Sequence, residues 1–237
     1  MRLCLALTLA VLACSKRAEH QPVRVAAASD LTRAFEALGQ KLGTPVTFSF
    51  GSSGLLSKQL VEGAPFDVFA SANVAFVDSA VKAGVCDGAT AQPYARGRLA
   101  VWSKAGPVML EELGDEKLHH IAIANPEHAP YGKAAKEALI AAGLWERVEK
   151  RLVYAENIRQ TLQLAETGNV EAAVVALALV KGDPHAVLVD AAKHQPLVQG
   201  IVVCTKGENR TGGEAFVKLV RSEEGQAVLK RYGFEPP

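Results

Sequence analysis

Four times in this chain, a short apolar stretch typical of a buried strand runs directly into a turn and then into a helix-forming segment. The turns begin at Ser29, Gly51, Asn125 and Glu156. Such a junction directs free backbone N–H groups and the positive end of a helix dipole at one point, which favours an anion. Because the junctions are spread over both halves of the chain, the sequence predicts an anion held between two domains by uncharged donors.

From residue 23 onward, short β-branched runs alternate with helical stretches, a pattern typical of βαβ units. We predict an α/β fold of two lobes, each a mostly parallel sheet flanked by helices, with the ligand cleft between them. Residues 96–103 and 197–205 are extended apolar runs that can cross between the lobes. The predicted division is therefore residues 22–98 plus 199–237 for lobe 1 and residues 99–198 for lobe 2.

The bulk composition excludes one class of partner. The chain has 237 residues, of which 49% are hydrophobic and 22% are charged, with a formal net charge of +1. Nucleic acid as the main partner would normally need a concentrated basic face, so we predict no nucleic-acid binding. A small anion remains compatible, because local N–H donors need no net charge.

The N-terminal residues resemble an export leader. Arg2 supplies a positive charge, and residues 3–13 form an apolar run too short for a bilayer, which takes about 20 residues. The run ends in Val-Leu-Ala-Cys-Ser, which resembles the lipobox of bacterial lipoproteins, where the cysteine (here Cys14) becomes the lipidated first residue. We predict a leader and tether over residues 1–21 and a periplasmic or cell-envelope protein anchored through Cys14, with an ordinary signal peptide as the alternative.

Two cysteines remain outside the leader, Cys86 and Cys204. An exported protein permits a disulfide between them, but Cys204 ends an apolar strand-like run, and a buried free thiol fits equally well. Neither cysteine has a second Cys or His at ligand spacing, and the histidines are scattered, so no metal site is predicted.

Hydroxyl-bearing turns supply the candidate donors. The turn at residues 51–54 contains Ser52 and Ser53, and its glycines let the backbone approach a ligand closely. Ser29 can cap the helix that follows it, donate to an anion, or do both. Asp30 beside it either complements the helix dipole or, if it points into the site, accepts a proton from an anion that carries one.

Two catalytic motifs fail at these turns. The nucleophile motif G-x-S-x-G requires a glycine where Leu55 stands, and a P-loop ending at Lys133 requires one where Glu127 stands. No Ser/His/Asp order can be tied to a nucleophile turn, so the residues give hydrolysis no positive support. We therefore predict a binding module and not an enzyme.

Six stretches, in chain order, carry a family resemblance: residues 25–31 (VAAASDL), 48–54 (FSFGSSG), 60–69 (LVEGAPFDVF), 122–132 (AIANPEHAPYG), 155–159 (AENIR) and 230–234 (KRYGF). Through them the chain resembles the periplasmic molybdate-binding proteins of ABC importers, over essentially all of the chain after the leader. The motifs Gly-Ala-Pro-x-Asp-Val-Phe and Asn-Pro-Glu-His-x-Pro are the most specific parts of the resemblance.

The resemblance implies a two-lobe, periplasmic-binding-protein-like fold that closes on a tetrahedral dianion. The family's oxyanion donors fall on the hydroxyl and N–H groups of Ser29 and Ser53, and on the N–H groups of Tyr131 and Ile158. Asp30 and Ser52 are additional candidates. The implied ligand is molybdate, with tungstate as a second, and molybdate is bound through its oxygens with no separate cofactor.

The chain departs from the family pattern at two places. Many members have a tyrosine whose hydroxyl donates to the anion after the strand at residues 173–176, where this chain has Ala176 or Leu177. Asp30 occupies a place that is often leucine. Tyr131 or a second donor from the Ser29 turn can replace the lost hydroxyl.

The function predicted from the sequence is an exported, monomeric solute-binding protein that captures molybdate and delivers it to the membrane permease of an ABC importer. Molybdate, tungstate and sulfate are fully deprotonated at neutral pH and only accept hydrogen bonds, whereas phosphate keeps a proton and favours a carboxylate acceptor. A phosphate- or sulfate-binding protein is therefore one alternative. A secreted phosphate- or sulfate-ester hydrolase is the other, although it would need a nucleophile–base pair or a metal cluster, and the sequence shows neither.

Overall fold

The structure is a computed structural model that describes residues 21–237. Residues 1–20, which include Cys14, lie outside the described part of the chain. The leader and its lipidation therefore stay a prediction.

The secondary structure follows the expected alternation. The first part of the chain contains β1 (Val23–Ala28), α1 (Thr32–Gly39), β2 (Val46–Gly51), α2 (Ser53–Val61), β3 (Val68–Ser71), α3 (Val74–Lys82) and β4 (Gln92–Gly97). The middle part contains β5 (Leu99–Trp102), β6 (Ile121–Ala124), α4 (Pro130–Ala141), α5 (Trp145–Val148), β7 (Leu152–Ala155), α6 (Ile158–Glu166), β8 (Ala172–Ala176), α7 (Leu177–Val180) and β9 (Ala186–Leu188). The last part contains β10 (Leu197–Val203), α8 (Arg210–Arg221) and α9 (Glu223–Arg231).

Within residues 21–237 the strands form two five-stranded sheets, in the orders β2-β1-β3-β10-β4 and β7-β6-β8-β5-β9. In the first sheet β10 runs antiparallel to both neighbours, while β1 pairs in parallel with β2 and β3. In the second sheet β5 is the reversed strand, and β6 pairs in parallel with β7 and β8. Each sheet is therefore mixed, with four of its five strands running in one direction and one reversed, and the predicted two-lobe α/β fold is confirmed.

The chain passes between the sheets twice. It leaves the first sheet after β4, enters the second as β5 with only Arg98 between them, and returns as β10. The two strands formed on entry, β5 and β10, are the two reversed ones. Strand β10 begins at Leu197, just ahead of the predicted return at residue 199, and the exact lobe boundaries stay a prediction.

Strand β1 is an interior strand of the first sheet, with almost all of its residues apolar and both of its edges paired. Helices α2 and α8 pack against it, α1 packs against α8 and α9, and the rings of Phe35 and Phe216 meet edge to face with centroids 5.2 Å apart. Helices α4 and α6 pack on β6 and β8 of the second sheet. These two buried layers fix where the carboxyl ends of the parallel strands point.

Asp67, in the Gly-Ala-Pro-x-Asp motif, is a structural carboxylate. Its side chain accepts hydrogen bonds from the backbone N–H of Arg24 at 2.7 Å and of Asn209 at 2.6 Å, and it is 1% exposed. It thereby ties β1, β3 and the start of α8 together. Because a buried carboxylate without such donors would be costly, the motif is explained by folding and needs no ligand.

The two cysteines whose state the sequence left open form a disulfide. Cys86 follows α3, Cys204 follows β10, and the two residues also form an isolated antiparallel bridge. The bond closes a loop that includes β4, the whole second sheet and β10. The alternative of a buried free thiol is therefore excluded.

Residues 21–237 contain neither a candidate membrane-spanning helix nor a candidate metal-binding cluster. No helix in this range is both long enough and apolar enough to cross a membrane. Nor does the range contain a group of three or more His, Cys, Asp or Glu side chains placed to hold a metal ion.

Candidate functional site

The four predicted junctions meet at one small pocket between the lobes. About 190 Å³ of its space is not filled by protein atoms. The first lobe contributes the ends of β1, β2 and β3, and the second contributes the starts of α4 and α6. All six candidate residues line the pocket, together with five others; the full set is Ala28, Ser29, Asp30, Gly51, Ser52, Ser53, Ala72, Ala129, Pro130, Tyr131 and Ile158.

Larger openings lie elsewhere on the described surface. One groove, with about 890 Å³ of unfilled space, runs past Thr90, Val217 and Arg221. It lies on the first lobe alone and is widely open to solvent. Size therefore does not identify the site, whereas the convergence of four strand ends and helix starts from two lobes does.

Ser53 is oriented as a hydrogen-bond donor. It begins α2, is fully buried, and its Oγ accepts a hydrogen bond from the backbone N–H of Ala72 at 3.0 Å. A hydroxyl has a single hydrogen, and accepting from Ala72 leaves that hydrogen available to the pocket. The backbone N–H of Ser53, in the first turn of the helix, has no intrahelical acceptor either.

The sequence left open whether Ser29 caps the helix that follows it, and Ser29 does not. The short 3₁₀ helix Ser29–Leu31 begins at Ser29 itself, with Ala28 in the capping position. Ser52 does occupy the capping position of α2, but its side chain makes no capping hydrogen bond. Its Oγ lies 2.9 Å from Nδ1 of His128 in the other lobe. Ser29 and Ser53 are therefore free of the capping role that competes with ligand binding.

Tyr131 and Ile158 present backbone N–H groups from the second lobe. Helix α4 starts with Pro130, so Tyr131 supplies the first N–H of that helix. At the start of α6, the side-chain oxygen of Asn157 accepts hydrogen bonds from the backbone N–H groups of Arg159 and Gln160, both at 3.1 Å. The side chain of Asn157 does not accept from the N–H of Ile158, which therefore remains available to another acceptor.

His128 joins the lobes directly, a role that the sequence reasoning missed. Besides its contact with Ser52, its carbonyl oxygen accepts the backbone N–H of Gly54 at 2.9 Å. The loop that carries His128 is braced, since Asn125 accepts hydrogen bonds from the N–H groups of Glu127, His128 and Ala129. These contacts hold the pocket closed at its side towards α2.

Asp30 is buried at the pocket, with 1% of its surface exposed. Its Oδ2 accepts a hydrogen bond from Nε2 of Gln199 at 2.5 Å. Gln199 also accepts from the hydroxyl of Tyr94 at 2.6 Å and donates to the hydroxyl of Tyr131 at 3.2 Å. The network therefore links β10 and β4 of the first lobe with α4 of the second.

Burial raises the pKa of the Asp30 carboxyl from 3.8 to about 6, because the ionised form is poorly solvated, while the hydrogen bond from Gln199 and the nearby hydroxyl of Tyr131 oppose part of that rise. Burial, with the negative charge of Asp30, also holds the pKa of the Tyr94 and Tyr131 hydroxyls well above 10. Both tyrosines are therefore neutral at physiological pH. Among residues 21–237, Oδ1 of Asp30 has no hydrogen-bond partner.

The place of the family's tyrosine is apolar here. Strand β8 ends at Ala176 and α7 begins at Leu177, and neither residue lines the pocket. The hydroxyl of Tyr131 lies instead against Gly97 in the other lobe, where a Cβ atom would overlap it. Tyr131 thus points its side chain into the Asp30 network while its backbone N–H remains at the pocket.

No lysine or arginine is among the described residues that line the pocket. Its donors are hydroxyls and backbone N–H groups at helix starts, aimed at one point from two lobes that touch. This arrangement defines a two-lobe solute-binding protein that encloses a small anion.

The chain belongs to the bacterial extracellular solute-binding proteins, whose family model matches residues 23–235. It is 32% identical over 221 residues to the molybdate-binding protein ModA of Rhodobacter capsulatus, covering 90% of this chain and 87% of the relative. It is 33% identical over 247 residues to ModA of Azotobacter vinelandii, covering 98% and 96%. The solved periplasmic molybdate-binding protein of Azotobacter vinelandii superimposes with a TM-score of 0.85 at 28% identity, covering 91% of this chain and 99% of that one.

Proposed function

We propose that this protein captures molybdate outside the cytoplasm and delivers it to the membrane permease of an ABC importer. The observation that carries the proposal is the single pocket into which Ser29, Ser53, Tyr131 and Ile158 all fall. Its similarity to molybdate-binding proteins over nearly its whole length supports the same ligand. Tungstate, which has the same shape and charge, is proposed as a second ligand.

The chemistry of the pocket suits a fully deprotonated tetrahedral anion. Hydrogen bonds to a charged acceptor contribute roughly 1.5–3 kcal/mol each, and several converge here. The residues act as donors to the oxygens of the anion, and no cofactor is needed. We propose a monomer that binds and releases its ligand unchanged, without catalysis.

Phosphate is the competing ligand, because one observation favours it. A protonated phosphate needs an acceptor, and the buried carboxylate of Asp30 lines the pocket. Sulfate differs from molybdate mainly in size. The sulfate-binding protein SubI of Mycobacterium tuberculosis has a TM-score of 0.75 to this chain but only 13% identity, so it shares the fold without bearing on the ligand.

Calorimetric titration of the mature protein with molybdate, tungstate, sulfate and phosphate separates these ligands. We expect molybdate and tungstate to bind tightly and sulfate at least about a hundredfold more weakly, which corresponds to about 2.7 kcal/mol. Phosphate binding tighter than molybdate would overturn the proposal and make Asp30 a proton acceptor.

Removing a hydroxyl donor is expected to weaken binding without unfolding the protein. Ser53→Ala and Ser29→Ala should each reduce molybdate affinity by roughly 1–3 kcal/mol, because an oxygen of the anion loses its partner. Ser57→Ala is the matched control, since Ser57 lies on the same helix as Ser53 but not at the pocket. Parent-like binding by both pocket variants would mean that the anion binds elsewhere.

We propose that a lipid anchor at Cys14 holds the mature protein at the cell envelope. The proposal rests on the apolar run that ends in Val-Leu-Ala-Cys. A single acyl chain gives marginal membrane binding, and a lipidated N-terminal cysteine carries more than one. When cells are grown with labelled fatty acid and fractionated, the parent should be labelled and found with the membranes. The Cys14→Ser variant should be neither labelled nor membrane-bound. An unlabelled, soluble parent would identify an ordinary signal peptide and leave the ligand proposal unaffected.

A further inference from the structure

Asp30 is a carboxylate in a pocket built for a dianion, and nothing in the proposed function explains it. Its Oδ2 is held by Gln199, whereas Oδ1 is buried and has no partner among the described residues. An unpartnered buried carboxylate oxygen is costly in a folded protein. A ligand or a proton at this atom would remove that cost.

Among residues 21–237, no positively charged side chain faces Asp30 to balance an ionised carboxylate. The groups that face it are Gln199 on β10, Tyr94 on β4 and Tyr131 on α4, all of them neutral. The nearest basic residue along the chain, Arg33, donates instead to the carbonyl of Leu179. A dianion bound beside an ionised Asp30 would therefore meet an unscreened like charge in a buried site.

We propose that Asp30 binds a proton from solvent when a fully deprotonated oxyanion enters the pocket, and that its Oδ1–H then donates to an oxygen of that anion. Oδ2 keeps the hydrogen bond from Gln199, so the protonated carboxyl satisfies both of its oxygens. The new donor stands in for the tyrosine hydroxyl that Ala176 or Leu177 does not supply. This inference rests on the proposed function and makes Asp30 a determinant of ligand choice.

Because its pKa is raised, the Asp30 carboxylate can take up a proton near neutral pH when the anion binds. Burial brings that pKa to about 6 without a ligand, and the like charge of a bound dianion raises it further. Between these two pKa values, binding of the anion takes up one proton. Within that range, affinity for molybdate therefore falls about tenfold for each unit by which the pH rises.

With an anion that carries its own proton, binding at Asp30 should take up no proton from solvent. If Asp30 stays ionised and accepts a hydrogen bond from hydrogen phosphate, that anion supplies the proton and none comes from solvent. Proton uptake therefore distinguishes a carboxyl donor from a carboxylate acceptor.

The test is calorimetric titration between pH 6.5 and 8.5 in buffers of different ionisation enthalpy, which counts the protons taken up. With molybdate we expect about one proton per anion at pH 8, and about tenfold weaker binding at pH 8 than at pH 7. Asp30→Asn, which carries an uncharged amide donor, should bind molybdate independently of pH and at pH 8 at least as tightly as the parent. Glu36→Gln, an exposed carboxylate on α1, should keep the parent's pH dependence.

Three results would overturn the proposal: no proton uptake by the parent, a pH-independent parent affinity, or an Asp30→Asn variant that folds and binds molybdate more weakly than the parent at pH 8. Proton uptake by the parent decides the question even if the variant fails to fold.

Tungstate and sulfate are titrated in parallel. If tungstate or sulfate binds and molybdate does not, the proposed function is wrong. Proton uptake measured with the anion that does bind then still tests the role of Asp30. If none of the three binds, both proposals are wrong.

Discussion

Replacing Gly54 with alanine is expected to weaken anion binding strongly while leaving the anion-free protein at least as stable as the parent. A Cβ atom at this position would lie 2.8 Å from the carbonyl oxygen and 3.0 Å from the Cα of His128 in the opposite lobe. Both are backbone atoms of the loop braced by Asn125, so they cannot move aside as a flexible side chain would. Overpacking of this kind costs roughly 1–3 kcal/mol, which is up to about a hundredfold in affinity.

The expected effect appears only when the lobes meet. If the lobes separate in the absence of ligand, the new methyl group has open space, and alanine in helix α2 is favoured over glycine by up to about 1 kcal/mol. Molybdate titration and urea unfolding of the anion-free protein measure the two effects separately, with Ser57→Ala as a control on the same helix. A Gly54→Ala variant that binds like the parent would show that these two loops do not close on the anion.

Features set by local sequence could be predicted closely. The strand and helix alternation was expected to begin at residue 23, and β1 is Val23–Ala28, because a compact apolar run ends sharply at the polar turn that begins at Ser29. The four junctions were predictable for the same reason, since each is a strand end followed by a helix start. Their convergence at one pocket follows from the rule that carboxyl ends of parallel strands share an edge.

Two strands at the sheet edges, β4 and β9, lack the sequence pattern by which strands are recognised. Strand β4 includes Pro93, Arg96 and Gly97, residues that suggest a loop, yet an edge strand tolerates proline because one side of it is unpaired. Strand β9 has only three residues and is half-exposed. Neither shows the alternation or the apolar run by which buried strands are recognised.

The contacts that shape the pocket could not be predicted, because their partners are distant in sequence. Asp30 could be identified as a residue at the site, but Gln199, which binds it, lies 169 residues further along in a strand that otherwise looks uniformly apolar. His128 and Ser52 are 76 residues apart and lie in different lobes. Only the packed fold shows that these polar groups satisfy one another.

The Cys86–Cys204 disulfide is expected to make a large contribution to stability. The two residues are 118 positions apart, and both belong to the first lobe, so the bond closes the loop from which the second lobe is built. In the chain-entropy model, a cross-link over a loop of this length stabilises the folded state by about 4–5 kcal/mol, because it restricts the unfolded chain. That is a large share of the roughly 5–15 kcal/mol that separates folded from unfolded states in most domains.

The Cys86→Ala/Cys204→Ala variant should therefore unfold at a markedly lower guanidinium concentration than the oxidised parent. Reduced parent protein is the matched control and should unfold close to the variant, because both lack the cross-link. Neither cysteine lines the anion pocket, so molybdate affinity of the folded variant should stay at the parent's value. Equal unfolding midpoints for oxidised and reduced parent would contradict the prediction, whereas a loss of affinity in the folded variant would mean that the disulfide also positions the lobes.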